Sequence, residues 1–314
     1  MHSEKQYIDL YRECREQICA HSVAPLNAVR DAAFEQFERQ GFPSRKVERY
    51  KYTSVDELFA PDYGVNVNRL EIPVDPYKAF RCDVPNLSTS LYFIVNDQFR
   101  AALQPKENLP EGVVVDSLAA YAQANPQFVA DHYAQLAHAD EDGITAINTM
   151  LAQDGLLVYV KRGVKVDRTI QVINILRSDV PLMVNRRVLI VMEEGAEAKL
   201  LFCDHAADDR EFLATQVIEA YVGRNASLDL YCMEETHYKN TRVSNVYIEQ
   251  QADSRVNHNV ITLHNGTTRN RLDVLLKGEG AECWCNGCVI ADKAQHIDNN
   301  TLIDHQVPHC TSHE

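Results

Sequence analysis

The 314-residue sequence has no run of 18 apolar residues, so no membrane-spanning helix is expected. Its opening residues, Met1-His2-Ser3-Glu4-Lys5-Gln6, have neither an apolar signal core nor a small-residue cleavage site, and the chain reads as soluble and cytoplasmic. Basic charge is scarce too. The 31 Lys and Arg against 45 Asp and Glu leave −14, the wrong sign for neutralising nucleic-acid phosphates. Half of that net charge, −7, falls in residues 81–160, a solvated face or a docking surface for a basic partner. Neither a Walker A loop nor Gly-x-Gly-x-x-Gly is present, so nucleotide binding by this chain has no support. The Gly-x-Ser-x-Gly elbow of hydrolases and His-Glu-x-x-His are missing as well. Adjacent carboxylates such as Glu193/Glu194 point to opposite faces of a strand and make a poor glycosidase pair.

What is present is enough for a core: 45% apolar residues, over a length that suggests about two domains. The nine cysteines are odd in number and scattered, which fits free, mostly buried thiols better than a secreted disulfide framework. Tyr7, Leu10, Tyr11, Cys14 and Ile18 form one apolar stripe, predicting a helix over residues 4–20. A second helix is expected from Ser22–Pro25 to its stop at Gly41. Short strands are expected at 91–95 and 113–115, and helices at about 117–124, 126–137 and 143–152.

From Leu156 the texture changes to short Val-, Ile-, Leu- and Tyr-rich runs separated by turns, with no helical period between them. Four segments repeat a register: Gly195-Ala196-Glu197-Ala198, Asn225-Ala226-Ser227-Leu228, Asp253-Ser254-Arg255-Val256 and Gly280-Ala281-Glu282-Cys283. Their offsets of 30, 28 and 27 residues predict a β-solenoid in which each coil stacks on the last. A jelly roll also spaces strands evenly, but has no reason to repeat one register. The chain thus divides into a helical and mixed region, 1–153, and a solenoid core, 154–314.

Cys283, Cys285 and Cys288 have the close spacing of a thiolate metal site. The repeat gives a second reading, because Cys283 and Cys285 fall where Ala198/Leu200 and Leu228/Leu230 stand, on the inward face. His305, His309 and Cys310 form another candidate cluster near Asp304, or a solenoid turn with exposed imidazoles. His258 and His264 are read as satisfied structural residues.

The stretch Ile144–Val164, with Asn148, Asp154-Gly155 and Arg162-Gly163-Val164, followed by Ile170-Gln171-Val172, resembles the entry to the core of SufB/SufD proteins. Glu48-Arg49-Tyr50-Lys51-Tyr52-Thr53 is similar to an element near the SufD N-terminus. Gly278–Glu282, Asn286-Gly287, His296, Asp298, Thr301 and His305 resemble the later core. The resemblance covers 45–314 and favours SufD over SufB. It implies a right-handed parallel β-helix behind an N-terminal helical domain. It also implies a non-enzymatic scaffold in iron–sulfur cluster assembly, paired with a SufB-like subunit and a SufC-type ABC ATPase, any cluster forming in the assembled complex. The Cys283/Cys285/Cys288 trio lies outside the family pattern, which favours its core reading. The family continues beyond the equivalent of Glu314, with more coils, a Cys-Ser-His-Gly-Ala-Thr element and a C-terminal helical segment that contacts the ATPase. The family's cluster-assembly His therefore has no counterpart to carry over.

Two other functions compete: a β-helix polysaccharide-active enzyme, and a binding module that holds metal through its own Cys and His clusters. A six-residue acyltransferase repeat is absent. A solenoid that stops in mid-core is expected to pair its open coil with another copy, through residues around 283–310, as a homodimer. Light scattering at high protein concentration checks this: a dimer is expected, and a strict monomer contradicts it.

Overall fold

The computed structural model describes residues 3–79, 89–103 and 109–314. Cys82, one of the nine cysteines, lies outside them. Two long parallel sheets form the core. Sheet A stacks Leu156–Val160, Leu182–Met192, Phe212–Val222, Thr241–Gln250, Thr267–Leu276 and His296–His305. Sheet B stacks Thr169–Leu176, Glu197–Ala206, Ser227–Glu235, Arg255–His264, Glu282–Val289 and Thr311–His313. The chain alternates between the sheets, so each pair of strands is one coil of a β-solenoid. Upstream strands extend both sheets. Thr89–Val95 pairs in parallel with Thr169–Leu176, and Val113–Ser117 runs antiparallel to Leu156–Val160.

The repeat sets the coil. Glu197, Ser227, Arg255, Glu282 and Thr311 are successive partners across sheet B, in the register that the sequence offsets predict. Two residues ahead of each strand start sits a corner with positive φ: Gly195 (70°), Asn225 (54°), Asp253 (58°), Gly280 (75°) and His309 (61°), with Gly163 (69°) one coil earlier. The left-handed region is open to Gly and least costly for Asn and Asp among the rest, which explains the turn residues. From Gly163 to Gly280 each corner N–H bonds the neighbouring coil, as in Gly195 N–H to Arg224 O (2.8 Å) and Asn225 N–H to Ala252 O (2.9 Å). The next residue points inward and is small: Ala196, Ala226, Ser254 and Ala281 are all buried. Alternation then sends Ala198/Leu200, Leu228/Leu230, Val256/His258 and Cys283/Cys285 to the inside, one pair above another.

The N-terminal region covers sheet A. Helix Gly143–Leu151 is buried at every residue and capped by the Asp142 carboxylate, which accepts the Ile144 N–H (2.8 Å). The Asn148 amide donates to Arg186 O (3.1 Å) and Thr215 Oγ1 (3.0 Å), bolting the helix to two strands. Helix Glu4–Ala20 packs Tyr7, Tyr11 and Ile18 into the same cluster, with Cys14 at its edge, as the stripe predicts.

Two expectations need correction, and two strands were not foreseen. The second helix is two pieces, Ala24–Ala28 and Arg30–Gln40, broken at Val29. The helix expected to reach residue 137 ends at His132, because buried Glu219 accepts the N–H groups of Ala134, Leu136 and Ala137 (2.9–3.0 Å). Those bonds replace the helical ones and admit Ala134 at φ 60°. Strands His296–His305 and Thr311–His313 have no apolar run to announce them. They form because the preceding coil offers a ready ladder.

Glu219 also meets Arg187 at 2.6 Å, with both side chains fully buried. Glu219→Gln leaves Arg187 without its counter-charge and is expected to lower stability by about 3–5 kcal/mol. Urea unfolding of the variant measures this, and a loss below about 1 kcal/mol contradicts the pair's assigned role.

Candidate functional site

The solenoid interior is split lengthwise. Next to the corner ladder it is apolar, a continuous stack from Tyr92 through Val158, Leu200, Leu230 and Val256 to Cys283. At the other edge it is polar. Asp204, Glu234 and Thr262 are register partners near the ends of sheet B strands. Arg186, Gln216, Ser244, Asn270 and Asn299 are register partners in sheet A. An ion-pair chain joins the two rows. Asp204 binds Arg186 (2.7 Å) and Arg242 (2.8 Å), and Arg242 binds Glu234 (2.8 Å). Thr262 Oγ1 and Asn270 Nδ2 donate to the second Glu234 oxygen (2.6 and 3.2 Å). Burial works to raise the Asp204 pKa, but Arg186 and Arg242 prevail and hold it below the ordinary carboxylate range. Two cations and two anions cancel, which is what lets four charges sit inside.

Beyond this chain the interior opens into a chamber of about 310 Å³ at the last coils, walled by Cys232, Glu234, Arg242, His258, Cys285 and Thr301. His258 is 3% exposed, and its Nε2 has no hydrogen-bond partner among the described residues. Burial, with Arg242 adding to it, pushes the imidazole pKa down to about 4, so the ring is neutral at pH 7. Burial pushes the Cys232 thiol up to about 12. The sequence reading of His258 as satisfied is corrected here, since its register neighbours Leu230 and Cys285 leave Nε2 facing space.

Of the candidates from sequence, the Cys283 and Cys285 thiols meet in a hydrogen bond and the rest lie apart. Cys283 lies fully buried in the apolar stack, Cys285 reaches the chamber wall, and Cys288 is exposed. The trio cannot converge, because Cys288 is an odd step from the other two and faces the opposite side of the strand. His305 meets Ser312 Oγ (3.0 Å), His309 is the last left-handed corner, and Cys310 takes the small-residue place and donates to Gly278 O (3.3 Å). Among the described residues, no three of His, Cys, Asp and Glu gather in reach of one metal ion. The ion chain was missed in the sequence. Its signal was there: a charged or hydroxyl residue recurring at one inward register, Asp204, Glu234 and Thr262.

The segment Glu48–Thr53 clamps the outer side of the chamber's last strands. Tyr50 is buried, donates to the Asp142 carboxylate and lies under the Arg269 guanidinium (4.9 Å). Arg269 donates to Arg49 O (2.7 Å) and pairs with Asp298 (3.1 Å). Thr53 Oγ1 donates to Asp298 (2.5 Å) and lies 2.9 Å from His296 Nε2. Outward residues of Thr267–Leu276 and His296–His305 are thus held by the N-terminal region while inward Leu272 and Thr301 wall the chamber.

Residues 1–172 match the SufBD protein N-terminal region, and residues 174–314 match the SUF system FeS cluster assembly SufBD core domain. The chain belongs to the SufB/SufD family. It is 23% identical to the iron–sulfur cluster assembly protein SufD of Bacillus subtilis over 96% of this chain and 68% of that protein. It is 23% identical to SufB of the same organism over 77% of this chain and 53% of SufB. It is 24% identical to the chloroplastic protein ABCI7 of Arabidopsis thaliana, over 74% of this chain and 49% of that protein. The chain thus spans about half the length of two of these relatives. Among the described residues, no helix is long and apolar enough to cross a membrane.

Buried neutral His258 makes stability depend on pH. The unfolded imidazole takes a proton near pH 6.5, the folded one near 4. Its contribution is therefore full above pH 6.5 and falls as pH drops, by about 3 kcal/mol by pH 4. His258→Gln is expected to flatten that part of the stability–pH curve in urea titrations. An unchanged slope between pH 6.5 and 4 contradicts the assignment.

Proposed function

We propose that this chain is a scaffold subunit of a Suf-type iron–sulfur cluster assembly complex, with a SufD-like role in the cytoplasm. It pairs with a SufB-like subunit and is driven by a SufC-type ABC ATPase, so nucleotide hydrolysis belongs to the partner. The observation that carries this reading is the unbroken succession of both SufB/SufD family regions along one chain, folded as a solenoid behind a helical N-terminal region. Two features favour the SufD-like side. The likeness to SufD extends over 96% of the chain against 77% for SufB, and the SufD-like element Glu48–Thr53 has a defined structural task as the clamp. Under this reading iron and sulfide are cargo, and the chain's part is to position surfaces and donors.

Co-expression of this chain with the SufB-like and SufC-type proteins of its own source tests the proposal. A stable complex containing all three on size-exclusion chromatography is expected. Failure of this chain, and of its longest natural form, to join either partner overturns the scaffold reading.

A further inference from the structure

His258 is a buried titratable group that no interaction described above uses. Its side chain faces the chamber, its Nε2 is unpartnered, and only 3% of the residue is exposed. Its partner in the next coil is Cys285, also inward, 6% exposed and on the same wall, its thiol sharing a hydrogen bond with Cys283 that an ion would replace. Neighbouring strands lie about 4.8 Å apart, and parallel inward side chains keep about that separation. One ion with an imidazole nitrogen at about 2.1 Å and a thiolate sulfur at about 2.3 Å holds them at most about 4.4 Å apart, so the ring and the thiol lean toward each other to share it. We propose that His258 Nε2 and Cys285 Sγ form an open, two-donor site for a divalent first-row cation of the iron and zinc type, with chamber water completing its shell.

The surroundings suit such an ion. Arg242 faces His258 from sheet A, but Asp204 and Glu234 neutralise it, and Glu314 adds a carboxylate to the chamber wall. When the metal–sulfur bond forms, the Cys285 proton leaves to solvent and the thiolate takes its place on the ion. Because no third protein donor is gathered, the site differs from closed four-ligand structural zinc and favours exchange over permanent retention. This geometry stands apart from the choice of Suf partners, so loss of the site and loss of the scaffold reading are separate results.

Anaerobic titration of the whole reduced chain with cobalt(II) tests it. One equivalent is expected to give thiolate-to-cobalt charge-transfer absorption. Cys285→Ser and His258→Gln, each shown to be folded by circular dichroism, are expected to weaken binding at least about tenfold, the scale seen when a metal site loses support. Cys288→Ser, altering an exposed thiol outside the chamber, is expected to bind as the unaltered protein does. Absence of the band in the folded protein, or its survival at full affinity in either chamber variant, overturns the proposal. If a chamber variant does not fold, alkylation of the unaltered protein decides. Cobalt is expected to protect Cys285 from iodoacetamide in peptide mapping, and equal labelling with and without cobalt overturns the site.

Discussion

Everything in this molecule depends on coils stacking in register. A parallel ladder joins each strand to its equivalent in the next coil, so a slip of one residue would turn every inward side chain outward. The left-handed corners at Gly195, Asn225, Asp253 and Gly280 fix where each sheet B strand begins, and the small residues after them let the coils approach. Once the register is fixed, the interior is written coil by coil. That is how a continuous apolar stack and a parallel row of charged groups occupy one solenoid without mixing.

The polar row is the costly part of the design. Removing four charges from water is unfavourable unless they compensate each other, and the Arg186–Asp204–Arg242–Glu234 chain does so across three coils. The same chain bounds the chamber. It gives Cys232, His258 and Cys285 a polar edge, while the apolar stack lies on the other side. Outside, the Tyr50–Arg269–Asp298–Thr53 contacts bind the chamber's outermost strands to the N-terminal region, which makes that region part of the chamber's construction.

Much of the fold was legible because the corner and the small residue after it recur at nearly constant spacing, and because Ile18, Tyr11 and Tyr7 share one helical face. The placement of Cys283 and Cys285 inside followed from the same alignment. His296–His305 was not legible, since Asp298, Asn299 and Asn300 have poor strand propensity and the strand exists only through its neighbour's ladder. The helix stop at His132 was hidden in Glu219, more than 80 residues away. Long-range pairs such as Thr53 with Asp298 leave no local pattern at all. His258 was misread because its neighbours in space, rather than in sequence, decide whether its ring nitrogen has a partner.

The polar chamber inside the solenoid sets His258 and Cys285 on one wall, where the proposed cation would sit. Anomalous diffraction at the iron edge, from crystals of this 314-residue chain soaked anaerobically in ferrous iron, tests that most directly. A peak in the chamber between His258 and Cys285 is expected. Peaks confined to the surface, or none in the chamber, would contradict it.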